Sequence, residues 1–181
     1  RLSLVGSEMS IRDRCLSNQQ KLSSVRVADI ACGCGGFLMD VAKYIHKKTG
    51  KSYLRIYQEN IYGIDIQSYS IERCKILLNL LAISEGEYTD LDFNLLNTDT
   101  LNFHLEGWYP AFSDFDVVVG NPPYVCGRNM EYGTKEKTKM YDVCNSGSTD
   151  LYIPFFQIAV EMLKDGGVMG YITCLLYTSD A

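Results

Sequence analysis

Short apolar runs alternate along this chain with longer segments whose apolar residues recur at helical spacing. The runs predict five strands, at residues 25–30, 61–64, 93–96, 115–120 and 168–173. Helical spacing predicts helices at residues 36–49, 68–83 and 150–164, and a weaker pattern predicts a leading helix near residues 7–22. Strands and helices that alternate in this way are typical of βαβ units, so the pattern predicts an α/β fold with a Rossmann-like, doubly wound parallel sheet.

The last predicted helix carries recognisable signals at both ends. Asp150 is a candidate N-cap, and Pro154 is tolerable because it would lie in the first turn. Gly166 and Gly167 are expected to stop the helix before the final strand.

Acidic and amide side chains follow the predicted strands. Asp29, Asp65, Asp99 and Asn121 come after the first four strands, one after each. Ligands of open parallel sheets bind at the carboxyl ends of the strands, near the point where the strand order reverses. The sequence therefore predicts that these four side chains converge on one site.

The turn after the first strand is rich in glycine, since residues 29–36 read Asp-Ile-Ala-Cys-Gly-Cys-Gly-Gly. Gly33 and Gly35 allow a sharp bend and the close approach of a ligand to main-chain N–H groups. Nucleotide-binding folds share such turns, but no Gly-Lys-Ser/Thr follows, so a phosphate-binding loop is unsupported. The acid Asp29 lies at the turn itself, where it suits a cationic amino group better than a pyrophosphate.

The next two strands end in residues that suit a nucleoside. Asp65 occupies the position at which an acid binds ribose hydroxyls in dinucleotide folds, with a helix cap as the structural alternative. Ile66 could pack on an adenine ring, and Asp99 could accept from its amino group, although Asp is also a common turn former. A ligand with an amino acid end, a ribose and an adenine but no phosphate is S-adenosyl-L-methionine.

The fourth strand runs directly into Asn-Pro-Pro-Tyr at residues 121–124. The amino nitrogen of adenine, or of a side-chain amide, is a poor nucleophile because its lone pair is delocalised. Two acceptors on its N–H groups draw it toward tetrahedral geometry, and Asn121 and Pro122 offer a side-chain and a main-chain carbonyl. Tyr124 offers an aromatic face on which a planar group can stack. The structural alternative is a plain turn after a buried strand.

These motifs resemble those of adenine-N6 DNA methyltransferases. Residues 29–38 resemble the cofactor motif Asp-Pro-Ala-Cys-Gly-Ser-Gly-x-Phe-Leu, with Ile30 in place of Pro and Cys34 in place of Ser, and residues 121–124 match the catalytic motif. The segment from residue 150 to 173 resembles their Asp-Leu-Tyr helix and Leu-Lys-Pro-Gly-Gly strand. A cofactor motif that precedes the catalytic one is the γ-class arrangement, found in type II and fused type IIG restriction–modification methylases and in type I modification subunits.

The resemblance implies methyl transfer from S-adenosyl-L-methionine to the N6 amino group of an adenine flipped out of double-stranded DNA. The expected catalytic residues are Asn121, Pro122, Pro123 and Tyr124. The expected cofactor-binding residues are Asp29, Ala31, Cys32, Gly33, Gly35, Phe37, Asp65, Ile66, Asp99 and Thr100. The resemblance implies no metal. It also implies that the DNA-recognition domain and the last strands of the sheet lie outside this C-terminally truncated chain, and that a restriction nuclease is fused to the protein or separate from it.

Two other functions remain open from the sequence. Release-factor glutamine methyltransferases and some ribosomal RNA guanine methyltransferases share Asn-Pro-Pro-Tyr, but they usually carry an Asp-Leu-Gly-x-Gly turn. A truncated product that binds cofactor without catalysis is the non-enzymatic alternative.

Composition changes this picture little. The chain has 181 residues, a net charge of −5, seven cysteines and two histidines. Its cysteines form no Cys-x-x-Cys pair, which disfavours a disulfide framework and a zinc site and favours a reducing cytoplasm. Cys32 and Cys34 are expected to be small buried residues of a tight turn. The apolar runs are too short to span a membrane, and no signal peptide is visible.

Basic residues collect in two places. Arg128, Lys135, Lys137 and Lys139 follow the Asn-Pro-Pro-Tyr motif, opposed by Glu131 and Glu136. This cluster is either a contact for strand phosphates or a solvated loop. The second cluster, at Lys43, Lys47, Lys48 and Lys51, ends a predicted helix and is expected to be structural.

The sequence divides into three parts. Residues 1–24 are expected to form a helical lead-in, itself truncated, and residues 25–173 the catalytic domain. Residues 174–181 resemble the translated read-through of a sequencing adapter, so we expect them to be a non-native tail.

Overall fold

The computed structural model describes residues 19–88, 92–104, 112–145 and 149–172. Of the lead-in expected at residues 1–24, it describes one short helix, α1 (Gln19–Ser23). The rest of the helix predicted near residues 7–22, Thr173 of the last predicted strand, and the expected tail at 174–181 lie outside the described residues.

Within the described residues, five parallel strands form the sheet, and all five were predicted. They are β1 (Val27–Asp29), β2 (Ile61–Asp65), β3 (Asn94–Asn97), β4 (Phe115–Gly120) and β5 (Leu163–Tyr171). Their order is β3-β2-β1-β4-β5, so the order reverses between β1 and β4. This arrangement confirms the predicted doubly wound sheet, and it puts the carboxyl ends of β1 and β4 at the position where such sheets bind ligands.

The other described helices are α2 (Gly36–Thr49), α3 (Tyr53–Glu59), α4 (Ser68–Ser84), α5 (Tyr132–Thr138) and α6 (Tyr152–Met162). Three of them, α2, α4 and α6, correspond to predicted helices, and α2 has the predicted bounds. The other two, α3 and α5, were not predicted from the sequence.

Helix α3 begins after its N-cap residue, Ser52, and a distant residue adds two contacts to its first turn. The two carboxylate oxygens of Glu87 accept from the main-chain N–H groups of Tyr53 and Leu54, at 2.8 and 2.9 Å. These are orphan donors of a first helical turn, and a carboxylate there also suits the helix dipole. The N-cap Ser52 is a local signal for this seven-residue helix, because its hydroxyl accepts from the N–H of Arg55 at 3.4 Å. The contacts from Glu87, 33 or 34 positions later, leave no such signal.

The predicted capping of α6 is wrong. Its N-cap is Leu151 and makes no side-chain hydrogen bond, whereas Asp150 Oδ1 accepts from the main-chain N–H of Gly127 at 3.0 Å. The predicted stop is also wrong, because the helix ends at Met162 and Gly166 and Gly167 lie within β5. The β4–β5 register shifts there, and Gly166 has φ +77°, so these glycines form an irregularity of the strand.

Two apolar clusters cover the two faces of the sheet. One contains buried residues of α2, α3 and α4, among them Leu38, Tyr57 and Leu78. The other contains residues of α6 and the segments beside it, including Ile158 and Met162. Val117, Val118 and Val119 of β4 alternate between the clusters, as the pleat of a strand requires. Within the described residues, no helix is long and apolar enough to cross a membrane.

Candidate active site

A cavity of about 400 Å³ opens at the carboxyl edge of the sheet. Seven of the fourteen residues expected in the site line it: Ala31, Asp65, Ile66, Asp99, Thr100, Asn121 and Pro123. They come from the segments after β1, β2, β3 and β4, so the four loops converge on one space as the strand pattern predicts.

The other seven expected residues do not line this cavity: Asp29, Cys32, Gly33, Gly35, Phe37, Pro122 and Tyr124. Asp29, Cys32, Gly35 and Pro122 are buried. Phe37 packs against the apolar cluster of α2, α3 and α4.

The main-chain N–H groups of the glycine-rich turn form hydrogen bonds within the protein. The main-chain N–H groups of Ala31, Cys32, Gly33 and Gly35 all donate to acceptors inside the protein, at 3.1, 2.9, 2.9 and 2.8 Å. Gly33 and Gly35 have φ of +52° and +82°, a region that favours glycine. From the sequence, such N–H groups are expected to bind the ligand. In the structure they hold the turn together, and the Gly33 N–H also fixes Asp65.

Asp65 was expected either to bind ribose hydroxyls or to cap a helix, and the structure is compatible with both roles. Its Oδ2 accepts from the N–H of Gly33 at 2.9 Å, and its Oδ1 accepts from the N–H of Gln67, the N-cap residue of α4, at 2.8 Å. Each carboxylate oxygen has a second lone pair. Asp65 therefore supports the start of α4 and, because it also lines the cavity, can accept from ligand hydroxyls.

Asp99 and Thr100 also form hydrogen bonds within the protein. Asp99 Oδ1 accepts from the N–H of Leu101 at 3.0 Å, the turn-forming contact that the sequence analysis gave as its alternative role. The other oxygen, Oδ2, accepts from Lys137 Nζ at 2.6 Å. Thr100 is buried, and its hydroxyl donates to the carbonyl of Ile30 at 2.7 Å, which ties the loop after β3 to the end of β1.

Asn121 is exposed beside the cavity, and its Oδ1 accepts from the hydroxyl of Tyr124 at 2.7 Å. The same hydroxyl contacts the carbonyl oxygen of Ile172. Because a tyrosine hydroxyl has one proton, it donates to one of these acceptors at a time. The ring of Tyr124 is half-buried, with its centroid 6.0 Å from that of Tyr152.

Asp29 is 1% exposed, directly behind the turn. Its Oδ1 accepts from the Ala31 N–H, whereas its Oδ2 has no hydrogen-bond partner among the described residues. Burial raises the pKa of Asp29 to about 7, opposed by the hydrogen bond from Ala31 and reinforced by the charge of Asp65. A Cβ at Gly120 would lie 2.8 Å from Asp29 Oδ1, so only glycine fits there without a shift.

The two cysteines of the turn differ in exposure. Cys32 is buried as expected, but Cys34 is exposed, which corrects the prediction that both are buried. A hydrogen bond with Cys74, together with burial, raises the pKa of the Cys32 thiol far above its usual range. In the described segments, no three Cys, His, Asp or Glu side chains form a group that could hold a metal ion.

Six lining residues were not predicted: Ile30, Gln67, Leu101, Thr134, Leu151 and Phe155. Ile30 and Gln67 are each one residue from a predicted contact, so a wider window around each strand end would have included them. Leu151 and Phe155 belong to the Asp-Leu-Tyr segment, whose motif is visible in the sequence but predicts no contact with the ligand. Thr134 lies on α5 and carries no local signal.

A parallel sheet of this order with helices on both faces is the fold of S-adenosylmethionine-dependent methyltransferases. A structure described as a class I methyltransferase of this kind from Listeria monocytogenes aligns with 98% of this chain and 47% of its own, at a TM-score of 0.65 and 16% identity. The ATP-dependent type ISP restriction–modification enzyme LlaBIII bound to DNA aligns with 93% of this chain and 14% of its own, at a TM-score of 0.67 and 16% identity.

The chain belongs to the Eco57I restriction-modification methylase family, whose model matches residues 59–179. The type II restriction enzyme and methyltransferase RM.Eco57I of Escherichia coli is 27% identical over 81% of this chain and 19% of its own length. The type II methyltransferase M.BanIII of Aneurinibacillus aneurinilyticus is 29% identical over 86% of this chain and 26% of its own. The chain thus spans about a fifth to a quarter of these relatives, and the family confirms the resemblance stated from its motifs.

Proposed function

We propose that the protein to which this chain belongs transfers a methyl group from S-adenosyl-L-methionine to the N6 amino group of adenine in DNA, within a restriction–modification system. One observation carries the proposal. A single cavity is lined both by Asp65 and Asp99, the expected nucleoside contacts, and by Asn121 and Pro123 of the expected catalytic motif. Direct transfer requires donor and acceptor to lie in one space, in line with each other.

The lining residues fit this cofactor. Asp65 keeps acceptor capacity on both oxygens for ribose hydroxyls, and Ile66 is 60% exposed, so its side chain can pack on an adenine ring. A volume of about 400 Å³ lies within the usual range of small-molecule sites. When bound, the cofactor supplies an electrophilic methyl group on its sulfonium.

The catalytic motif acts on the target amine. The Asn121 carbonyl and the Pro122 main-chain carbonyl accept from its two N–H groups, and this pulls the nitrogen lone pair out of conjugation and stabilises the charge that develops. Asn121 is exposed, so an incoming base can reach it. Tyr124 supplies the stacking face that holds the base in the orientation needed for attack.

The partner in this proposal is double-stranded DNA, because an adenine must leave the stack before its amino group can reach a methyl donor. LlaBIII, whose fold this chain shares, is bound to DNA in its solved structure. We propose that sequence recognition and any nuclease activity belong to parts of the protein beyond this chain, as the family name suggests. Residues 25–173 are the proposed catalytic domain, and the cytoplasmic location stays a prediction.

The test uses the complete gene, expressed in a host that lacks DNA adenine methylation. Genomic DNA is digested to nucleosides and analysed by mass spectrometry. We expect N6-methyldeoxyadenosine with the natural protein, none with Asn121→Ala, and normal levels with Asn129→Ala, a matched change at an exposed residue of the same loop. N4-methyldeoxycytidine instead would overturn the choice of base, and methylated release factor with unmodified DNA would overturn the choice of substrate.

A further inference from the structure

A second cavity of about 290 Å³ lies beside the first and is lined with basic residues. Arg128, Lys135 and Lys139 contribute three cationic side chains, and Thr138 and Thr149 contribute hydroxyls. None of the described lining residues is acidic. In a chain with a net charge of −5, this concentration of positive charge is local.

The two cavities share their dividing wall. Leu151 lines the first cavity and donates its N–H to the carbonyl of Val125 at 2.9 Å, whereas Gly127, two residues further along, lines the second. Helix α5 also separates them, because Thr134 lines the first cavity and Lys135 the second. The basic cavity therefore adjoins the space in which the proposed target base reacts.

We infer that this basic cavity binds a phosphodiester of the target DNA strand next to the flipped nucleotide, an inference that rests on the proposed function. A flipped nucleotide stays in its backbone, so its own phosphates arrive at the mouth of the pocket with the base. Arginine, lysine and threonine side chains are the usual partners of DNA phosphates, and such contacts position the strand without reading sequence. The cavity would fix the strand while the base enters the catalytic site.

The cationic side chains around the cavity differ in whether they form an ion pair within the protein. Arg128 and Lys135 form no ion pair with any described residue. Lys139 Nζ lies 2.6 Å from Glu136 Oε1, and this exposed pair is free to rearrange. Glu131, exposed at the start of α5, is a further acid on this segment. Among the described residues, Arg128 and Lys135 can thus contact a phosphate without breaking an ion pair, whereas Lys139 must first leave Glu136.

The other basic cluster provides a matched control. Lys43, Lys47 and Lys48 lie on α2, a 14-residue helix that begins at the carboxyl edge of the sheet. Lys43 lies about 10 Å along this helix, and Lys47 and Lys48 lie on the order of 17 Å along it, toward the opposite edge of the sheet. Neutralising three lysines there changes the net charge as much as neutralising the basic cavity, but it leaves the cavity intact.

The experiment compares two triple variants of the complete protein. One carries Arg128→Gln, Lys135→Gln and Lys139→Gln, and the other carries Lys43→Gln, Lys47→Gln and Lys48→Gln. Binding of a fluorescent duplex with a mismatched adenine is followed by anisotropy from 50 to 200 mM salt, roughly the range over which phosphate contacts dominate. We expect the first variant to bind more weakly with a salt slope shallower by about 0.9, the contribution of one phosphate. The second should match the natural protein.

A further variant is expected to tighten DNA binding, the opposite of the effect of the triple variant. Glu136→Gln releases Lys139 from its ion pair and removes a negative charge from the segment. We expect this variant to bind the same duplex about two- to fivefold more tightly, the range of an exposed pair. A misfolded protein could not produce tighter binding, so this variant remains informative if the triple variant fails to fold.

The outcomes separate this inference from the proposed function. Equal weakening by both triple variants, or no tightening by Glu136→Gln, would overturn the phosphate site while Asn121-dependent methylation still stood. If Asn121→Ala loses methylation but keeps the salt slope of the natural protein, the phosphate contact does not depend on Asn121, which supports its assignment to the basic cavity. Methylated adenine absent from the natural protein would instead remove the proposed function.

Discussion

Lys137 Nζ lies 2.6 Å from Asp99 Oδ2, so helix α5 is tied directly to the acid expected to bind the cofactor adenine. The two side chains are 33% and 21% exposed. Because Leu101 donates to the other oxygen at 3.0 Å, the orientation of the Asp99 carboxylate is fixed from both sides. The segment after Asn-Pro-Pro-Tyr thus helps to shape the part of the cavity that is expected to hold the cofactor.

This pair leads to a graded prediction for cofactor affinity. Asp99→Asn removes a charged acceptor, and we expect the dissociation constant of S-adenosylmethionine to rise roughly tenfold or more. Lys137→Met removes only the group that orients it, and we expect a rise of about two- to fivefold, as for a partly exposed ion pair. Isothermal titration calorimetry measures both constants.

Lys139→Met is the control for this comparison, because the Lys139–Glu136 pair does not involve a lining residue of the cofactor cavity. Its cofactor affinity should equal that of the natural protein. Tighter cofactor binding by Lys137→Met would mean that the lysine competes with the adenine for Asp99 and does not position the carboxylate.

Tyr124 has two separable parts, a ring and a hydroxyl. Tyr124→Ala removes the stacking face, which for a nucleic acid base is worth about 1–3 kcal/mol, so we expect kcat/KM for DNA to fall by roughly 5- to 150-fold. Tyr124→Phe keeps the ring but loses the hydrogen bond to Asn121 Oδ1, and we expect a loss below about tenfold. Steady-state methylation of an oligonucleotide measures both. Equal losses in the two variants would assign the role to the hydroxyl.

The sheet and its long helices were predictable because the signal for each is local. Helix α2 has an apolar stripe from its first turn to Ile45, and β4 is a mostly apolar run that ends directly before Asn-Pro-Pro-Tyr. A parallel sheet then brings the strand ends together whatever the details of its loops. Asp65, Asp99 and Asn121 share one cavity for that reason.

What could not be predicted depends on contacts between distant residues. Two contacts in the first turn of α3 come from Glu87, and the partner of Asp150 is Gly127 in the loop after β4. The pair Lys137–Asp99 joins residues 38 positions apart. No periodicity encodes such pairs, because they form only once the chain has folded. The same limit applies to the donors of the glycine-rich turn, whose acceptors include Asp65 on the neighbouring strand.

The two left-handed glycines of the turn should respond differently to alanine. At Gly33 a Cβ would meet nothing within 4 Å, so Gly33→Ala carries only the cost of its φ, about 1 kcal/mol. At Gly35 a Cβ would lie 2.3 Å from Cys74 Sγ, and we expect Gly35→Ala to cost about 1–3 kcal/mol more. Chemical denaturation measures the free energy of unfolding. In a double-mutant cycle, Cys74→Ala should relieve part of the Gly35→Ala penalty, and strict additivity would contradict the clash.

The buried carboxyl of Asp29 makes the stability of the fold depend on pH. Its pKa is raised from 3.8 to about 7, so the folded state keeps a proton that the unfolded state loses. Its contribution is therefore complete below pH 3.8 and is lost as the pH rises through 7, on the order of 4 kcal/mol in all. Asp29→Asn cannot ionise but still accepts from Ala31. We expect it to be more stable than the natural protein above pH 7 and similar near pH 4.

The difference in stability between Asp29→Asn and the natural protein is measured as melting temperatures from about pH 4 to about pH 8.5. This range covers the titration of Asp29 in both the unfolded and the folded state. Asp40→Asn is the control, because Asp40 has an exposed side chain on α2. We expect its curve to run parallel to that of the natural protein. A parallel curve for Asp29→Asn as well would mean that Asp29 titrates near its ordinary pKa and that its surroundings admit water.

The same carboxyl tests whether Asp29 meets the cationic amino group of the cofactor, as expected from its place in the motif. A cation favours the ionised carboxylate, so binding would release a proton and cofactor affinity would rise with pH through about 7. The gain should be tenfold per pH unit at most below that point and should level off above it. Asp29→Asn should bind more weakly and without this dependence. If the two proteins show the same pH profile by titration calorimetry, Asp29 supports the wall of the cavity and does not contact the amino group.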